Sequence, residues 1–208
     1  MLKGWSIVGL PNARVATATS DQVIRVWKSA EPYDSAPITI IKAEDSTPYS
    51  LVCMKERNLL VVSYGKIFTL YNLTNYAKFG EIEGMDYVEG KGMCQIDKDR
   101  VGLAGFGQFM VVNIETRQIE VEISEINSIR QEKKFCLMKL RDNNTLLCGF
   151  GCDSYYDRAA FIFCDVKGRT TKKIDFNIHN KGVLDLVEID DETFVSCSNE
   201  NQIKVWKY

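Results

Sequence analysis

The sequence predicts an all-β fold built from repeated sheets, and three observations predict it. Apolar and polar residues alternate along many short segments, which is the pattern of half-buried strands. Clusters of turn-forming residues separate these segments. The arrangement recurs about every 42 residues, five times along the 208-residue chain. A period of this length that holds four strands indicates a β-propeller blade, because one such sheet has two apolar faces and can bury neither alone.

The third strand of each repeat aligns the five segments. These strands read VIRVWK, KIFTLYN, FMVVNIE, AFIFCDV and QIKVWK in chain order. The alignment places Trp27, Tyr71, Asn113, Cys164 and Trp206 at one equivalent position, with spacings of 44, 42, 51 and 42 residues. The long spacing before Cys164 indicates an insertion in the fourth repeat.

Each repeat is predicted to form one blade of a single domain, residues 1–208. The blades are expected at about 1–43, 48–83, 88–123, 134–178 and 179–208. Outer strands are predicted at 37–43, 77–83, 118–123 and 172–178, so the last blade lacks its outer strand and the total is 19 strands. No helix of about ten residues is predicted. We expect the C-terminal portion of a larger propeller, and the alternative is a five-bladed ring with one unpaired edge.

Two segments resemble the ends of WD repeats, namely ATATSDQVIRVW and SCSNENQIKVW. The resemblance extends over the whole chain, closely in the first and fifth repeats and weakly in the middle three. It implies a structural hydrogen-bonded network that joins a histidine, a hydroxyl, an acid and the tryptophan. The matching residues are His179, Ser196 or Ser198, Glu200 and Trp206 in the fifth repeat, and Thr17 or Thr19, Asp21 and Trp27 in the first.

The sequence departs from the WD pattern at three places. Gly65 and Gly107 occupy the acid position of the second and third repeats, so their networks should be absent or rebuilt. In the first repeat, the position of the histidine falls just before Met1. This last departure favours the expectation of a longer propeller.

Composition excludes several classes of function. With 26 Lys plus Arg against 28 Asp plus Glu, the net charge is −2, which gives no reason to expect nucleic acid or an anionic membrane as partner. No apolar run approaches the roughly 18 residues that membrane insertion requires. The seven cysteines, an odd number without a recognisable export signal, indicate reduced thiols and a cytoplasmic or nuclear location.

Catalytic and metal-binding patterns are weak. His179 is the single histidine, and its repeat position favours a structural role over catalysis. The pair Cys148 and Cys152 has one residue too many between its members for a zinc knuckle and lacks a second pair. We therefore predict a protein that is not an enzyme and that needs no metal or cofactor.

One connection is a candidate for partner binding. The insertion in the fourth repeat reads GCDSYYDRAA and contains Asp153, Tyr155, Tyr156 and Arg158. Tyrosine and arginine are over-represented among binding hot spots, and the WD resemblance implies that this loop lies on the face where most partners bind. The alternative is a solvated hairpin tip, and the charged loop 125–134 is a second candidate.

The function predicted is a non-catalytic scaffold or adaptor that binds protein or peptide segments within a larger complex. Two alternatives remain open. One is a propeller hydrolase or lyase with its active site in the channel, and the other is a purely structural portion of a larger propeller.

Overall fold

The computed structural model describes residues 4–29, 36–43, 46–88, 90–105, 108–123, 134–142, 144–151, 159–176 and 178–208. They form strands almost throughout: β1 (Gly4–Leu10), β2 (Arg14–Thr19), β3 (Val23–Lys28), β4 (Thr39–Lys42), β5 (Ser50–Met54), β6 (Leu59–Ser63), β7 (Gly65–Asn72), β8 (Lys78–Val88), β9 (Gly90–Lys91), β10 (Met93–Gln95), β11 (Arg100–Gly105), β12 (Gln108–Asn113), β13 (Gln118–Ile123), β14 (Lys134–Lys139), β15 (Thr145–Gly151), β16 (Ala160–Asp165), β17 (Thr170–Phe176), β18 (Val183–Asp190), β19 (Thr193–Ser198) and β20 (Gln202–Lys207). Within these ranges, the helical structure consists of a single 3-10 turn, Lys55–Arg57. No helix within them is long and apolar enough to span a membrane.

The chain divides into two compact units, Met1–Gly90 and Lys91–Tyr208. The first unit contains sheet 1 (β1-β2-β3-β4) and sheet 2 (β5-β6-β7-β8). The second contains sheet 3 (β10-β11-β12-β13), sheet 4, whose long strands are β14-β15-β16-β17, and sheet 5 (β18-β19-β20). Successive strands within each sheet pair antiparallel, as short hairpin connections require.

The predicted all-β class and the five sheets are confirmed, and the last sheet has three strands in the part of the chain that is described. Several details differ from the prediction. The two-residue strand β9, at the junction of the units, raises the number of strands to 20. The sequence does not predict it, because so short a strand carries no visible alternation. Strand β8 continues beyond residue 83 to Val88, and β17 spans Thr170–Phe176 in place of 172–178.

The alignment of the third repeat is wrong by one residue. Trp27 pairs with the second residue of the preceding strand, and Cys164 and Trp206 do the same. In sheet 3 the residue that pairs with the second residue of the preceding strand, Val101, is Val112 and not Asn113. The run of apolar residues in FMVVN hides the alternation that would have indicated the register.

Within each unit the sheets pack face to face in a repeated order. We call the face that carries Trp27, or its equivalent, the front face of a sheet, and the opposite one its back face. In the first unit, the back face of sheet 1 packs against the front face of sheet 2; the contributing side chains are Ala16, Ala18, Ile24 and Val26 from the former and Leu51, Leu60, Val62 and Tyr71 from the latter. Burial of these two apolar faces is the main stabilising contribution of the packing.

The second unit repeats this order twice. The front face of sheet 4, with Leu146, Cys148, Ile162 and Cys164, packs against the back face of sheet 3, with Ala104, Phe109 and Val111. The back face of sheet 4, with Leu147, Phe161 and Phe163, packs against the front face of sheet 5, with Leu186, Phe194 and Trp206. The first strands β10, β14 and β18 of the three sheets contact each other in series.

Candidate functional site

The hydrogen-bonded network of sheet 5 joins four of the residues that the WD resemblance implies. His179 precedes β18 and is 1% exposed. Its Nε2 lies 2.7 Å from Oγ of Ser196 on β19, and its Nδ1 lies 2.5 Å from Oε1 of Glu200 in the following turn. The indole Nε1 of Trp206 on β20 donates to the same Ser196 oxygen at 2.8 Å. The network therefore links β19, β20 and the turn between them to the segment that precedes β18.

The chemistry of these groups sets the direction of the bonds in the neutral form of the ring. The Trp206 indole only donates, so Ser196 Oγ accepts from it and gives its own proton to His179 Nε2. Nδ1–H of His179 then donates to the Glu200 carboxylate. Both ring nitrogens have partners inside the fold, which leaves neither for a substrate or a metal ion.

The Glu200 carboxylate is held in its charged form. Its side chain is 8% exposed, and burial by itself would raise its pKa. The hydrogen bonds from His179 and from the backbone N–H of Asn180, with Lys204 Nζ at 3.6 Å, instead hold the pKa of Glu200 below its ordinary value. Ser198, the other hydroxyl considered for this network, donates to the Lys181 carbonyl and accepts from the Glu200 N–H.

Sheet 1 contains a related arrangement without a histidine among its described residues. Trp27 Nε1 donates to Thr17 Oγ1 at 2.9 Å. Thr19 Oγ1 donates to Asp21 Oδ1 at 2.5 Å, and the Arg25 guanidinium bonds to both Asp21 oxygens, at 2.5 and 3.2 Å. The hydrogen bonds from Arg25 and Thr19 lower the pKa of Asp21 to about 2.

The sequence reasoning missed the basic residue of both networks. Arg25 and Lys204 each lie four residues after the acid, Asp21 or Glu200, and each forms an ion pair with it. The shared spacing of acid and base in the first and fifth repeats was a signal that could have identified them.

Sheet 2, in which a glycine at the acid position predicts an absent or rebuilt network, contains a pair of tyrosines. The hydroxyl groups of Tyr64 and Tyr71 lie 3.0 Å apart on the front face, and burial and this hydrogen bond raise the pKa of Tyr64. A cleft of about 350 Å³ opens beside them, with Lys42 and the ion pair of Lys78 and Glu81 in its wall. Because Glu81 already neutralises Lys78, we assign no ligand to this cleft. The other glycine at an acid position, Gly107, lies outside the described residues.

The candidate partner-binding residues Asp153, Tyr155, Tyr156 and Arg158 lie outside the described residues, and so do Cys152 and most of the loop 125–134. The structure does describe both ends of the connection 152–158. On one side, Gly151 approaches the backbone of Gly182 so closely that a Cβ atom would lie 2.7 Å from the Gly182 Cα. On the other side, Ala159 is fully buried.

The second end of this connection is bonded directly to the histidine segment. The Ala159 N–H donates to the carbonyl of His179, and the Ile178 N–H donates to the carbonyl of Ala159, both at 3.3 Å. The ideal Cβ position of Gly151 also lies 3.1 Å from the Ala159 Cα, so the two ends of the connection are adjacent. The segment that the network of sheet 5 holds in place thus forms the base of the connection 152–158.

A channel active site in the second unit would take its catalytic residues from the first strands of sheets 3, 4 and 5. They border an open pocket of about 550 Å³ whose wall includes Leu137, Leu186 and the basic residues Lys139 and Arg141. Lys139 Nζ donates to the Ile96 carbonyl at 2.7 Å, and Arg141 pairs with Glu188 and Asp191. These polar groups are engaged within the protein.

The cysteines of the second unit are mainly buried. Burial raises the pKa of both Cys94 and Cys164 to about 12, so these thiols are protonated at neutral pH. Among the residues that are described, no group of three or more His, Cys, Asp or Glu side chains is arranged to hold a metal ion.

Comparison with known proteins identifies the fold. No protein-family model matches the sequence. No curated protein matches it either. Among solved structures, 1095 chains are similar. One is a chain of the structure titled "Crystal Structure of Mitotic Checkpoint Complex": the similarity covers 100% of this chain with a TM-score of 0.78 at 9% sequence identity. This chain spans 61% of the length of that one. The five sheets thus form a WD-repeat-like β-propeller fold, and the low identity supports the fold alone.

Proposed function

We propose that this protein is a non-catalytic scaffold that binds a protein or peptide partner through the connection 152–158. The observation that carries the proposal is that contacts inside the fold hold both ends of this connection. Its two ends, Gly151 and Ala159, are buried against the segment that His179 anchors. A rigid base reduces the conformational entropy that a loop loses on binding, and so favours a loop that presents side chains to a partner.

The residue types of the connection support a protein partner. Tyr155, Tyr156 and Arg158 combine large apolar area with hydrogen-bonding groups, which is the chemistry of interface hot spots. Asp153 and Asp157 would favour a partner that carries basic residues. A chain of similar fold occurs in a multiprotein complex, which is consistent with a role in assembly.

The arrangement of polar groups favours a scaffold over the alternative of a channel hydrolase or lyase. Both nitrogens of the single histidine are engaged with Ser196 and Glu200. Arg141 and Lys139, beside the first strands, are bonded to acids and to a carbonyl. A catalytic acid or base needs access to a substrate proton, which the buried His179 does not have.

The test is the double variant Tyr155→Ala plus Arg158→Ala. A partner is first captured on the immobilised wild-type chain, purified, and its Kd measured by biolayer interferometry. The matched control replaces the exposed pair Arg169→Ala plus Tyr208→Ala. We expect at least about tenfold weaker binding for the loop variant, since removal of a hot-spot residue costs about 2 kcal/mol or more, and unchanged binding for the control.

Equal binding of the loop variant and the wild type, with both folded by circular dichroism, would refute the assignment of this connection. The enzyme alternative has its own test, because purified chain can be analysed for bound metal and screened with general hydrolase and lyase substrates. Stoichiometric metal or turnover would reverse the ranking of the two functions.

A further inference from the structure

Among the described residues, the back face of sheet 5 is an apolar surface that is largely exposed. It consists of Val187, Ile189, Val195, Ile203 and Val205, which share one side of β18, β19 and β20. Ile203 is 75% exposed, Val205 66%, Val187 58% and Ile189 52%. Contiguous exposed apolar patches of this kind mark association surfaces, whereas single exposed apolar residues need no explanation.

The same repeat positions are buried elsewhere in the protein. Ile24 and Val26 of sheet 1 stand where Ile203 and Val205 stand in sheet 5, with identical residue types at both positions. Both Ile24 and Val26 are 0% exposed, because the front face of sheet 2 covers them. The back face of sheet 5 therefore has the composition of a buried face but is exposed in the part of the chain that the structure describes.

The front face of sheet 1 shows the complementary deficiency. Ile7 pairs with Thr17 as Leu186 pairs with Ser196 in sheet 5, so the two positions are equivalent. Leu186 is 7% exposed beneath the back face of sheet 4, but Ile7 is 65% exposed. Ile40, which lies on the same face as Ile7, is 52% exposed.

One packing rule describes both units: the back face of a sheet is covered by the front face of the next. The rule holds for sheets 1 and 2, for sheets 3 and 4 and for sheets 4 and 5. Of the faces outside these three contacts, the back face of sheet 5 and the front face of sheet 1 are the two on which more than one described apolar residue is more than half exposed. They are of the two kinds that pack together in these three contacts.

We propose that the back face of sheet 5 binds the front face of sheet 1 of a second copy of this chain. The contact joins two different surfaces, so it is heterologous and can continue from one copy to the next. It would extend the internal sheet-to-sheet packing across the boundary between molecules. The rival occupants are a sheet from a different protein and a sheet from a longer form of this chain.

Two charge variants test the proposal because they disable one face each. The back-face variant is Ile203→Lys plus Val205→Lys, and the front-face variant is Ile7→Lys plus Ile40→Lys. All four positions are more than half exposed, so the folded chain tolerates lysine there, which circular dichroism and thermal unfolding verify. The control, Phe79→Lys plus Ile119→Lys, changes exposed apolar residues that belong to neither face.

Sedimentation equilibrium of the full chain, from about 1 to 100 μM protein, gives the readout. We expect wild type and control to form concentration-dependent oligomers, and each charge variant alone to be a monomer. An equimolar mixture of the two variants should form dimers and nothing larger, since one intact back face then meets one intact front face.

Two results would overturn the proposal. A monomeric wild type at 100 μM, together with a monomeric mixture, would mean that another protein or a longer chain supplies the cover. Self-association of the front-face variant alone would indicate that two back faces pair with each other. The mixture keeps the proposal testable if the wild type precipitates, because the lysine variants are more soluble.

Discussion

Replacement of His179 by phenylalanine tests whether the network of sheet 5 holds the fold together. The phenyl ring is planar like imidazole and slightly larger, so His179→Phe removes two hydrogen bonds without leaving a cavity. The imidazole is 1% exposed, and water cannot replace the lost partners. The effect on the free energy of unfolding should therefore come from hydrogen bonding and not from a cavity.

The magnitude follows from the two bonds. The bond from Nδ1–H to the Glu200 carboxylate involves a charged group and contributes about 1.5–3 kcal/mol, while the bond between Nε2 and Ser196 contributes about 0.5–1.5 kcal/mol. Glu200 retains the Asn180 N–H and the nearby Lys204 ammonium, which limits the penalty of its burial. We expect His179→Phe to destabilise the protein by about 2–4 kcal/mol.

The assay is urea unfolding followed by far-UV circular dichroism, with Lys207→Ala as an exposed control on the same sheet. A double-mutant cycle with Ser196→Ala separates the network from the sum of its parts. Because the two residues share a bond, we expect a coupling energy of about 1 kcal/mol or more. A loss below about 0.5 kcal/mol, or additive effects of the two substitutions, would refute the reasoning.

Three further predictions concern a glycine, an ion pair and a thiol. Gly151→Ala should destabilise the chain by about 1–3 kcal/mol in urea unfolding, because its Cβ would collide with backbone, whereas Gly9→Ala, with nothing within 4 Å, should have an effect below about 0.5 kcal/mol. The pKa of Asp21 is lowered to about 2 from 3.8, so its ion pair stabilises the fold fully above pH 3.8 and the contribution is lost as pH falls through 2; NMR titration should give that pKa, and Arg25→Gln should raise it. With a pKa of about 12, the Cys164 thiol should react with iodoacetamide at pH 8 about a thousandfold more slowly than in urea-unfolded protein; comparable rates would contradict its burial.

The sequence predicts the fold wherever alternation and turn chemistry agree. The third strands of the first and fifth repeats, Val23–Lys28 and Gln202–Lys207, begin and end at the predicted residues. In each of these strands a charged residue, Arg25 or Lys204, interrupts the apolar residues, and a clear turn precedes the strand, so the register has one solution. The third repeat lacks such alternation, and its alignment is wrong by one position, at Val112.

The site was less predictable because it depends on contacts between segments that are distant in sequence. The WD resemblance named His179 and left open which serine it meets; the structure has Ser196 within 2.7 Å. The tyrosine pair of sheet 2 could not be predicted, since nothing in the spacing of Tyr64 and Tyr71 requires their hydroxyl groups to meet. The uncovered faces were equally hidden, because Ile24 and Ile203 have the same local sequence pattern and differ only in what packs against them.

The network of sheet 5 supports the two ends of the connection that we propose binds a partner. Loss of the His179 side chain would release the segment whose carbonyl accepts the Ala159 N–H, and this segment is the base of the connection 152–158. The scaffold proposal therefore requires that His179→Phe weaken partner binding even under conditions where the chain remains folded. A network with a purely structural role would leave the Kd of the folded variant unchanged. The two roles of the histidine can thus be separated by measuring binding and unfolding on the same variant.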